Sequence, residues 1–273
     1  MAKVWFITGS SRGLGKSLTE VVLSNGDNVA ASARNTKQLD GLFEKYPKQI
    51  LILPLDISNK VQIHSAIEKT IEHFGRIDVL VNNAGFGITG AFEEFTDEQI
   101  QNQLEVNLYA PIKITKAVLP YMRKQRSGNI FNISSIGGRV TSIGLSIYQT
   151  AKWGIAGFSE ALSKEVKAFG IHVTSIEPGG FRTDFAGVSM SFAEELSDYE
   201  PVLKPYKSYS ATAIRKGIPD KAAKIIFDLA YHSEPPVHLI LGSDAIALLE
   251  KGNSERKVEM EKWKSVSIST DFI

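Results

Sequence analysis

The chain has 273 residues, 43% of them hydrophobic, and its 31 basic and 30 acidic residues almost cancel, so nothing favours a nucleic-acid or membrane-surface partner. The absence of cysteine excludes disulfides, thiolate catalysis and cysteine metal sites, and the five histidines show no metal-ligand spacing. No apolar run approaches the roughly 18 residues that span a bilayer, and the start leaves no room for a signal peptide, so we expect a cytoplasmic protein.

Strand-like apolar runs recur along the chain and alternate with helical patterns. The runs lie at residues 3–8, 28–33, 50–55, 79–81, 129–134, 171–176 and 237–241, with helical patterns at, for example, 58–74 and 148–169. Alternating strands and helices predict an α/β fold with a parallel sheet covered on both faces, and right-handed crossovers make it doubly wound. No repeat or linker divides residues 1–273, so a single domain is expected.

The first predicted strand runs into a glycine-rich turn and then into a helical stretch. Gly9, Gly13 and Gly15 have the spacing Gly-x-x-x-Gly-x-Gly, which differs from the common Gly-x-Gly-x-x-Gly fingerprint. Such a turn lets the backbone approach a pyrophosphate, and the helix end offers unpaired N–H groups and a partial positive charge. Its position after the first strand indicates a dinucleotide site.

A second group of residues carries acid–base chemistry. Tyr148 and Lys152 are four residues apart, so they share a helix face, and a cation beside a phenol is expected to lower the pKa of the phenol. Ser135 ends an apolar run that reads as a buried strand, where its hydroxyl could hydrogen-bond a substrate carbonyl. Ser134 competes with it, but neighbouring strand residues face opposite sides.

Together these features resemble the short-chain dehydrogenase/reductase family over roughly residues 3–243. The resemblance implies a Rossmann-like sheet of seven strands and a catalytic set made of Asn107, Ser135, Tyr148 and Lys152. Asn107 would hold a water in the proton relay, and Asn82 with the three residues after it would stabilise the centre of the sheet. Residues 83–87 and 178–183 are similar to the hydroxysteroid- and retinol-dehydrogenase-like branch.

The same resemblance implies a nicotinamide coenzyme. The residues expected to bind it are Gly9, Ser11, Arg12, Gly13, Leu14, Gly15, Arg34, Asp56, Ile57, Asn83, Ala84, Gly85, Tyr148, Lys152, Pro178, Gly179 and Thr183. Thr183 could also be a simple turn hydroxyl, and Asp56 could meet the adenine, cap the next helix beside Ser58, or do both.

The residues at the end of the second strand indicate whether the coenzyme is NAD(H) or NADP(H). NAD usually needs an acidic residue about twenty positions after the glycine turn. Here small residues lead to Arg34, and Arg12 lies in the turn itself. Two cations without an acid favour NADP(H), whose extra phosphate they could bind; the alternative is that Arg34 is a solvated loop residue.

The expected activity is hydride transfer between the nicotinamide and a ketone or secondary alcohol, with a bulky apolar molecule as one candidate substrate. Tyr148 would donate a proton to the substrate oxygen during reduction and remove it during oxidation. Lys152 would lower the tyrosine pKa and hold the ribose, and Ser135 would hydrogen-bond the substrate oxygen. The alternatives are a nicotinamide-dependent epimerase or dehydratase, for which the glycine spacing is unsuitable, and a non-catalytic NADP(H) sensor.

Two segments stand outside the repeating pattern. Residues 186–219 follow the nicotinamide segment and are well placed to form a substrate lid. The extension 245–273 contains a charged helical stretch near 255–264 and could pack on the lid or reach a neighbouring subunit. The family resemblance implies a homodimer or homotetramer acting on a small-molecule substrate.

Overall fold

The computed structural model describes residues 2–183, 185, 187, 189–212 and 214–272. Within them, seven parallel strands form one sheet, and two three-residue strands form another. The strands are β1 (Val4–Thr8), β2 (Asn28–Ala33), β3 (Ile50–Pro54), β4 (Val79–Asn82), β5 (Gly87–Thr89), β6 (Gly128–Ile133), β7 (Ile171–Pro178), β8 (Met190–Phe192) and β9 (His238–Leu241). The main sheet has the order β3-β2-β1-β4-β6-β7-β9, which confirms the predicted doubly wound, single-domain α/β fold.

The helices cover both faces of this sheet. They are α1 (Gly13–Ser24), α2 (Asp40–Lys45), α3 (Lys60–Phe74), α4 (Asp97–Leu104), α5 (Ala110–Gln125), α6 (Ser146–Val166), α7 (Glu200–Thr212), α8 (Pro219–Leu229) and α9 (Ser243–Ile268), with a π-helical turn (Glu105–Tyr109) between α4 and α5. None of the helices in this described part of the chain is both long enough and apolar enough to cross a membrane.

The alternation of side chains along the strands builds a separate core on each face. In β1, Trp5 and Ile7 pack into the core beneath α1 and α8, whereas Phe6 packs into the core beneath α3, α5 and α6. All five β1 residues are buried, because a parallel sheet covered on both faces needs apolar side chains on both. This explains why the strands were readable as continuous apolar runs.

Most element boundaries agree with the sequence patterns, and the differences have local causes. The helix predicted at 58–74 begins at Lys60, because the Asn59 side chain accepts hydrogen bonds from the backbone N–H of Val61 and Gln62. Asp56 was considered as this cap, and that interpretation was wrong. The helix predicted at 148–169 is α6 followed by a 3₁₀ turn, Lys167–Phe169.

The small sheet was not predicted. In it, β5 pairs in parallel with β8, which ties the start of the 186–219 segment to the chain just after β4. Ala186, Val188 and Ala213 of that segment lie outside the described residues.

The C-terminal extension forms α9, which includes the charged stretch expected to be helical. Its first half packs against the rest of the chain: a Cβ at Gly252 would lie 2.9 Å from Val140, and the Arg256 guanidinium lies 5.5 Å from the centre of the Trp153 ring. From residue 257 to 272 every side chain is exposed. The first half of the helix therefore contacts the loop after β6 and the helix α6.

Candidate active site

A cavity of about 870 Å³ lies at the carboxyl ends of the strands. This is the edge where open parallel sheets bind ligands, and the volume lies within the range of small-molecule sites. Every residue predicted to bind the coenzyme or to act in catalysis lines this cavity except Gly15 and Asn107. Residues that the sequence places up to 174 positions apart, from Gly9 to Thr183, are therefore brought to one site.

The glycine turn is shaped by close packing. Gly13 has a φ of +53°, which disfavours any other residue. A Cβ on Gly15 would overlap the carbonyl oxygen of Gly9 and the side chain of Asn83. Gly15 therefore supports the turn from behind and does not face the cavity.

Asn83, the first residue after β4, holds this turn in place. The Asn83 side-chain amide donates to the carbonyl oxygens of Thr8, at 2.8 Å, and Gly9, at 3.1 Å. In return the Thr8 hydroxyl accepts from the backbone N–H groups of Asn83 and Ala84. These bonds join the end of β1 and the turn to the residues just after β4, in agreement with the predicted stabilising role of this segment.

The helix α1 presents its N-terminus to the cavity. No side chain caps it, and its first turn contains no acidic residue. The first N–H groups of a helix lack partners within the helix and carry a partial positive charge. This end of α1 is therefore suited to a phosphate.

The candidate catalytic residues meet where β6 ends against α6. Tyr148 and Lys152 are buried at 7% and 5% exposure and lie one turn apart on α6, and the Ser135 side chain is near enough to the Tyr148 hydroxyl to lower its pKa. The Ser135 hydroxyl also accepts from the backbone N–H of Gly137, at 3.0 Å. Ser134 instead donates to the carbonyl oxygen of Lys152, at 2.9 Å, so the adjacent serine holds α6 against the end of β6.

Burial has the largest effect on the pKa values of Tyr148 and Lys152. It raises the pKa of Tyr148 to about 12, against an opposing contribution from the Ser135 side chain. It also lowers the pKa of Lys152 to about 8. The expectation of a lowered tyrosine pKa is thus wrong for this structure, because desolvation of the phenolate has the largest effect. The Lys152 ammonium donates to the carbonyl oxygen of Ile133, at 2.8 Å.

Asn107 lies in the π-helical turn, buried and outside the cavity lining. Its amide donates to the carbonyl oxygen of Phe86, at 2.8 Å, and its side-chain oxygen accepts from the Phe86 N–H, at 3.2 Å. The side chain therefore fixes the segment that follows β4, and the predicted role in a proton relay stays a prediction.

The far end of the cavity carries Arg34 and Asp56. Hydrogen bonds from the Ser58 hydroxyl, at 2.7 Å, and the Ser58 N–H, at 2.9 Å, hold the pKa of Asp56 below its usual value, and the Arg34 charge adds to this effect. Arg34 itself is exposed, and it lines the cavity. This end therefore places one cation beside one carboxylate.

Sequence reasoning missed several residues that line the cavity. They include Gln38, Asn102, Val106 and Phe185, which belong to no segment assigned to the site. The lining also contains Phe86, Gly180, Phe181, Ser189, Ser191 and Arg215, from segments singled out at 83–87, 178–183 and 186–219. Among the described residues, the charged side chains of the lining are four cations, Arg12, Arg34, Lys152 and Arg215, and one carboxylate, Asp56. This excess of positive charge, the glycine turn and the uncapped helix fit a dinucleotide with several phosphate charges.

Comparison with known proteins agrees with this geometry. A family model described as short chain dehydrogenase matches residues 3–192. The chain is 42% identical to Oxidoreductase BOA17 of Botryotinia fuckeliana over an alignment of 277 positions, which covers 99% of this chain and all of that protein. A short-chain dehydrogenase from Streptomyces avermitilis superposes with a TM-score of 0.95 at 37% identity, over the full length of both chains.

Two further solved structures were determined with a coenzyme. A short chain dehydrogenase/reductase from Burkholderia phymatum in complex with NAD has a TM-score of 0.82 at 18% identity, covering 94% of this chain and 95% of that one. ElxO with NADP bound has a TM-score of 0.75 at 26% identity, covering 90% of this chain and all of that one. The chain belongs to the short-chain dehydrogenase/reductase family and is an NAD(P)-dependent oxidoreductase.

Proposed function

We propose that the protein is an NADP(H)-dependent oxidoreductase that interconverts a ketone and a secondary alcohol, with Tyr148 as the acid–base group. The observation that carries this proposal is that Ser135, Tyr148 and Lys152 line one wall of the cavity together, with the Lys152 ammonium 5.7 Å from the centre of the Tyr148 ring. A bound nicotinamide would supply or accept the hydride at the substrate carbon.

The protein residues would then handle the substrate oxygen and its proton. The Ser135 hydroxyl can donate a hydrogen bond to the oxygen and hold it beside the phenol. With a pKa of about 12, the Tyr148 phenol is protonated at neutral pH and is ready to give a proton to a carbonyl oxygen during reduction. The Lys152 ammonium, with its three donors, would stabilise the phenolate that remains and bind the ribose.

The preference for NADP(H) over NAD(H) is supported by the cations at the far end of the cavity. Arg34 and Arg12 line the cavity there and at the turn, and no acidic residue follows β2 in the position typical of NAD binding. A phosphate monoester carries about two negative charges at neutral pH, which complements these two arginines. We also propose that the other residues expected at the coenzyme site contact the bound coenzyme. Examples are Leu14 in the glycine turn and Thr183 in the segment expected to line the nicotinamide.

A bulky, apolar carbonyl compound is the proposed substrate class. The Phe185 ring lies 6.0 Å from the Tyr148 ring, and Phe86 and Val106 also line the cavity. A Cβ on Gly87 would lie 2.6 Å from the sulfur of Met190 and 3.5 Å from the Tyr148 ring, so the strand β8 brings a flexible apolar side chain close to the phenol. We propose that residues 186–219 act as the lid over this site.

We also propose a homo-oligomer, a dimer or a tetramer. Trp153 on α6, Tyr109, and Trp263 on α9 are 40%, 50% and 54% exposed in the single chain, and large aromatic side chains are enriched in interfaces. Light scattering coupled to size-exclusion chromatography measures the mass directly, and a monomeric mass would contradict this part of the proposal.

The experiment that tests the function is a survey of coenzyme consumption by the purified protein. Ketones of increasing apolar bulk, including steroids, retinoids and quinones, are supplied with NADPH, and the loss of the NADPH absorbance is followed. We expect turnover with at least one ketone and a lower KM for NADPH than for NADH. Tight binding of NADPH without turnover of any ketone would favour the sensor alternative.

A further inference from the structure

We propose that Arg215 is a coenzyme-binding residue that contacts the phosphate on the nicotinamide side of the pyrophosphate. The inference rests on the proposed use of NADP(H) and extends it to a residue outside the family motifs. Arg215 lies in the stretch between α7 and α8, which sequence analysis assigned to the substrate lid. Its side chain nevertheless lines the same cavity as the glycine turn.

The backbone around Arg215 is bonded to the segment that follows β7. The Gly217 N–H donates to the carbonyl oxygen of Gly180, at 2.9 Å, and the carbonyl oxygen of Gly217 accepts from the Arg182 N–H, at 2.9 Å. The Arg182 guanidinium also donates to the Arg215 carbonyl oxygen, at 2.8 Å. These bonds fix the position of Arg215 against residues 180–182.

The other side of that segment is held as well. The Gly180 N–H donates to the Asp244 carboxylate at the start of α9, at 2.7 Å, and a Cβ on Gly180 would lie 3.6 Å from the Arg215 side chain. Arg215 is therefore placed by a backbone that is itself held from two directions. The backbone therefore needs no rearrangement when Arg215 binds an anion, and only the arginine side chain has to become ordered.

The same segment leads back to the glycine turn. Thr183 packs close to Gly13, since a Cβ at Gly13 would lie 3.7 Å from the Thr183 Cβ. A phosphate at the N-terminus of α1 would thus have the turn on one side and the 179–183 segment, with Arg215, on the other. Arg34 follows β2 and lies beside Asp56, whereas Arg215 packs near Gly180 after β7, on the other side of β1 in the sheet. The two arginines would therefore contact different parts of a bound coenzyme.

The roles proposed for Arg34 and Arg215 can therefore be distinguished by binding measurements. A contact from Arg34 to the extra phosphate of NADPH affects NADPH alone, whereas a contact from Arg215 to the pyrophosphate affects NADPH and NADH by the same factor. Adenosine 2′,5′-bisphosphate lacks the nicotinamide-side phosphate, so its binding should not depend on Arg215.

The test is a binding titration of the full-length protein with NADPH, NADH and adenosine 2′,5′-bisphosphate, read by calorimetry so that no turnover is required. The variant Arg215→Gln should weaken both coenzymes about tenfold, the effect of losing a charge-assisted hydrogen bond, and leave the bisphosphate unchanged. Lys216→Gln is the matched control: Lys216 is exposed, adjacent, and not part of the lining. It should leave all three ligands unchanged.

Three results would overturn the inference: unchanged coenzyme affinity in Arg215→Gln, equal weakening of the bisphosphate, or an equal effect of Lys216→Gln. Arg215→Lys keeps the charge but loses the planar fork, so its affinity for both coenzymes should lie between those of the wild type and Arg215→Gln. If the wild-type protein binds neither coenzyme, the proposed function fails. Failure of the inference alone leaves wild-type binding intact.

Discussion

The ammonium of Lys152 donates a hydrogen bond to the carbonyl oxygen of Ile133, at 2.8 Å, from a side chain that is 5% exposed. The same ammonium lies 5.7 Å from the centre of the Tyr148 ring. Burial lowers the pKa of the lysine to about 8, so near neutral pH the protein holds a desolvated cation beside its phenol. A buried ammonium of this kind can take part in the reaction, but it lowers the free energy of unfolding of the protein.

That cost predicts a pH-dependent gain in stability for Lys152→Met. The lysine pKa falls from 10.5 in the unfolded chain to about 8 in the folded one. Between pH 8 and pH 10.5 Lys152 is protonated in the unfolded chain but not in the folded one, so its contribution makes the wild type more stable as the pH rises. Below about pH 8 the buried charge destabilises the folded protein by its full amount, at most roughly 3 kcal/mol. The variant should therefore be more stable at neutral pH, with a difference that vanishes above pH 10.5.

Urea unfolding of both proteins across this pH range measures the difference. Lys164→Met is a suitable control, because Lys164 is exposed on the same helix and pairs at the surface with Glu160. A stability difference between wild type and Lys152→Met that stayed constant with pH would contradict the buried charge.

Tyr148→Phe should reduce ketone turnover at least about a hundredfold, since a positioned acid–base group typically contributes that much or more. The ring that packs near Phe185 is retained, so NADPH should still bind. Steady-state kinetics and a binding titration separate the two effects. Tyr109→Phe, at a half-exposed phenol outside the cavity lining, should behave as wild type. Turnover that survived in Tyr148→Phe would remove the phenol from the mechanism.

Arg34→Gln should weaken NADPH binding about tenfold to a hundredfold and leave NADH unchanged, because only NADPH carries the phosphate that a charge-assisted bond could hold. The measurement is the ratio of KM values for the two coenzymes. Lys37→Gln removes the same charge from an exposed neighbour outside the lining and should leave the ratio unaltered. Equal loss for both coenzymes would show that Arg34 does not read the extra phosphate.

The sequence allowed the main sheet to be predicted because its strands are buried on both faces and read as continuous apolar runs. The site residues Ser135, Tyr148 and Lys152 were predictable because their spacing implies a strand end and one helix face. The strands β5 and β8 were not, since three residues give no periodic signal and their pairing joins Gly87 to Met190, far apart in the chain.

Properties that depend on burial could not be read from spacing. The direction of the Tyr148 pKa follows from desolvation by surrounding elements, which a pair of residues four apart does not reveal. The cap of α3 is Asn59 and not Asp56, two residue types that cap helices about equally well. The hydroxysteroid- and retinol-dehydrogenase-like branch likewise stays a prediction, since the comparisons support the family as a whole.

Gly15 offers a final test of how the coenzyme turn is built. A Cβ at this position would overlap the Gly9 carbonyl and the Asn83 side chain, which together hold the turn against β4. Gly15→Ala should therefore displace the turn, lower the free energy of unfolding by about 1–3 kcal/mol, and weaken NADPH binding although Gly15 does not line the cavity.

The matched substitution is Gly41→Ala in α2. There a Cβ would meet no atom within 4 Å, so the change should stabilise the protein by roughly 0.5–1 kcal/mol through helix propensity. Denaturant unfolding and NADPH titration of both variants provide the comparison. Both changes add the same methyl group. If Gly15→Ala destabilises the protein while Gly41→Ala stabilises it, the loss of stability comes from the contacts of the new methyl group at position 15. Wild-type NADPH affinity in Gly15→Ala would mean that the turn binds without this support.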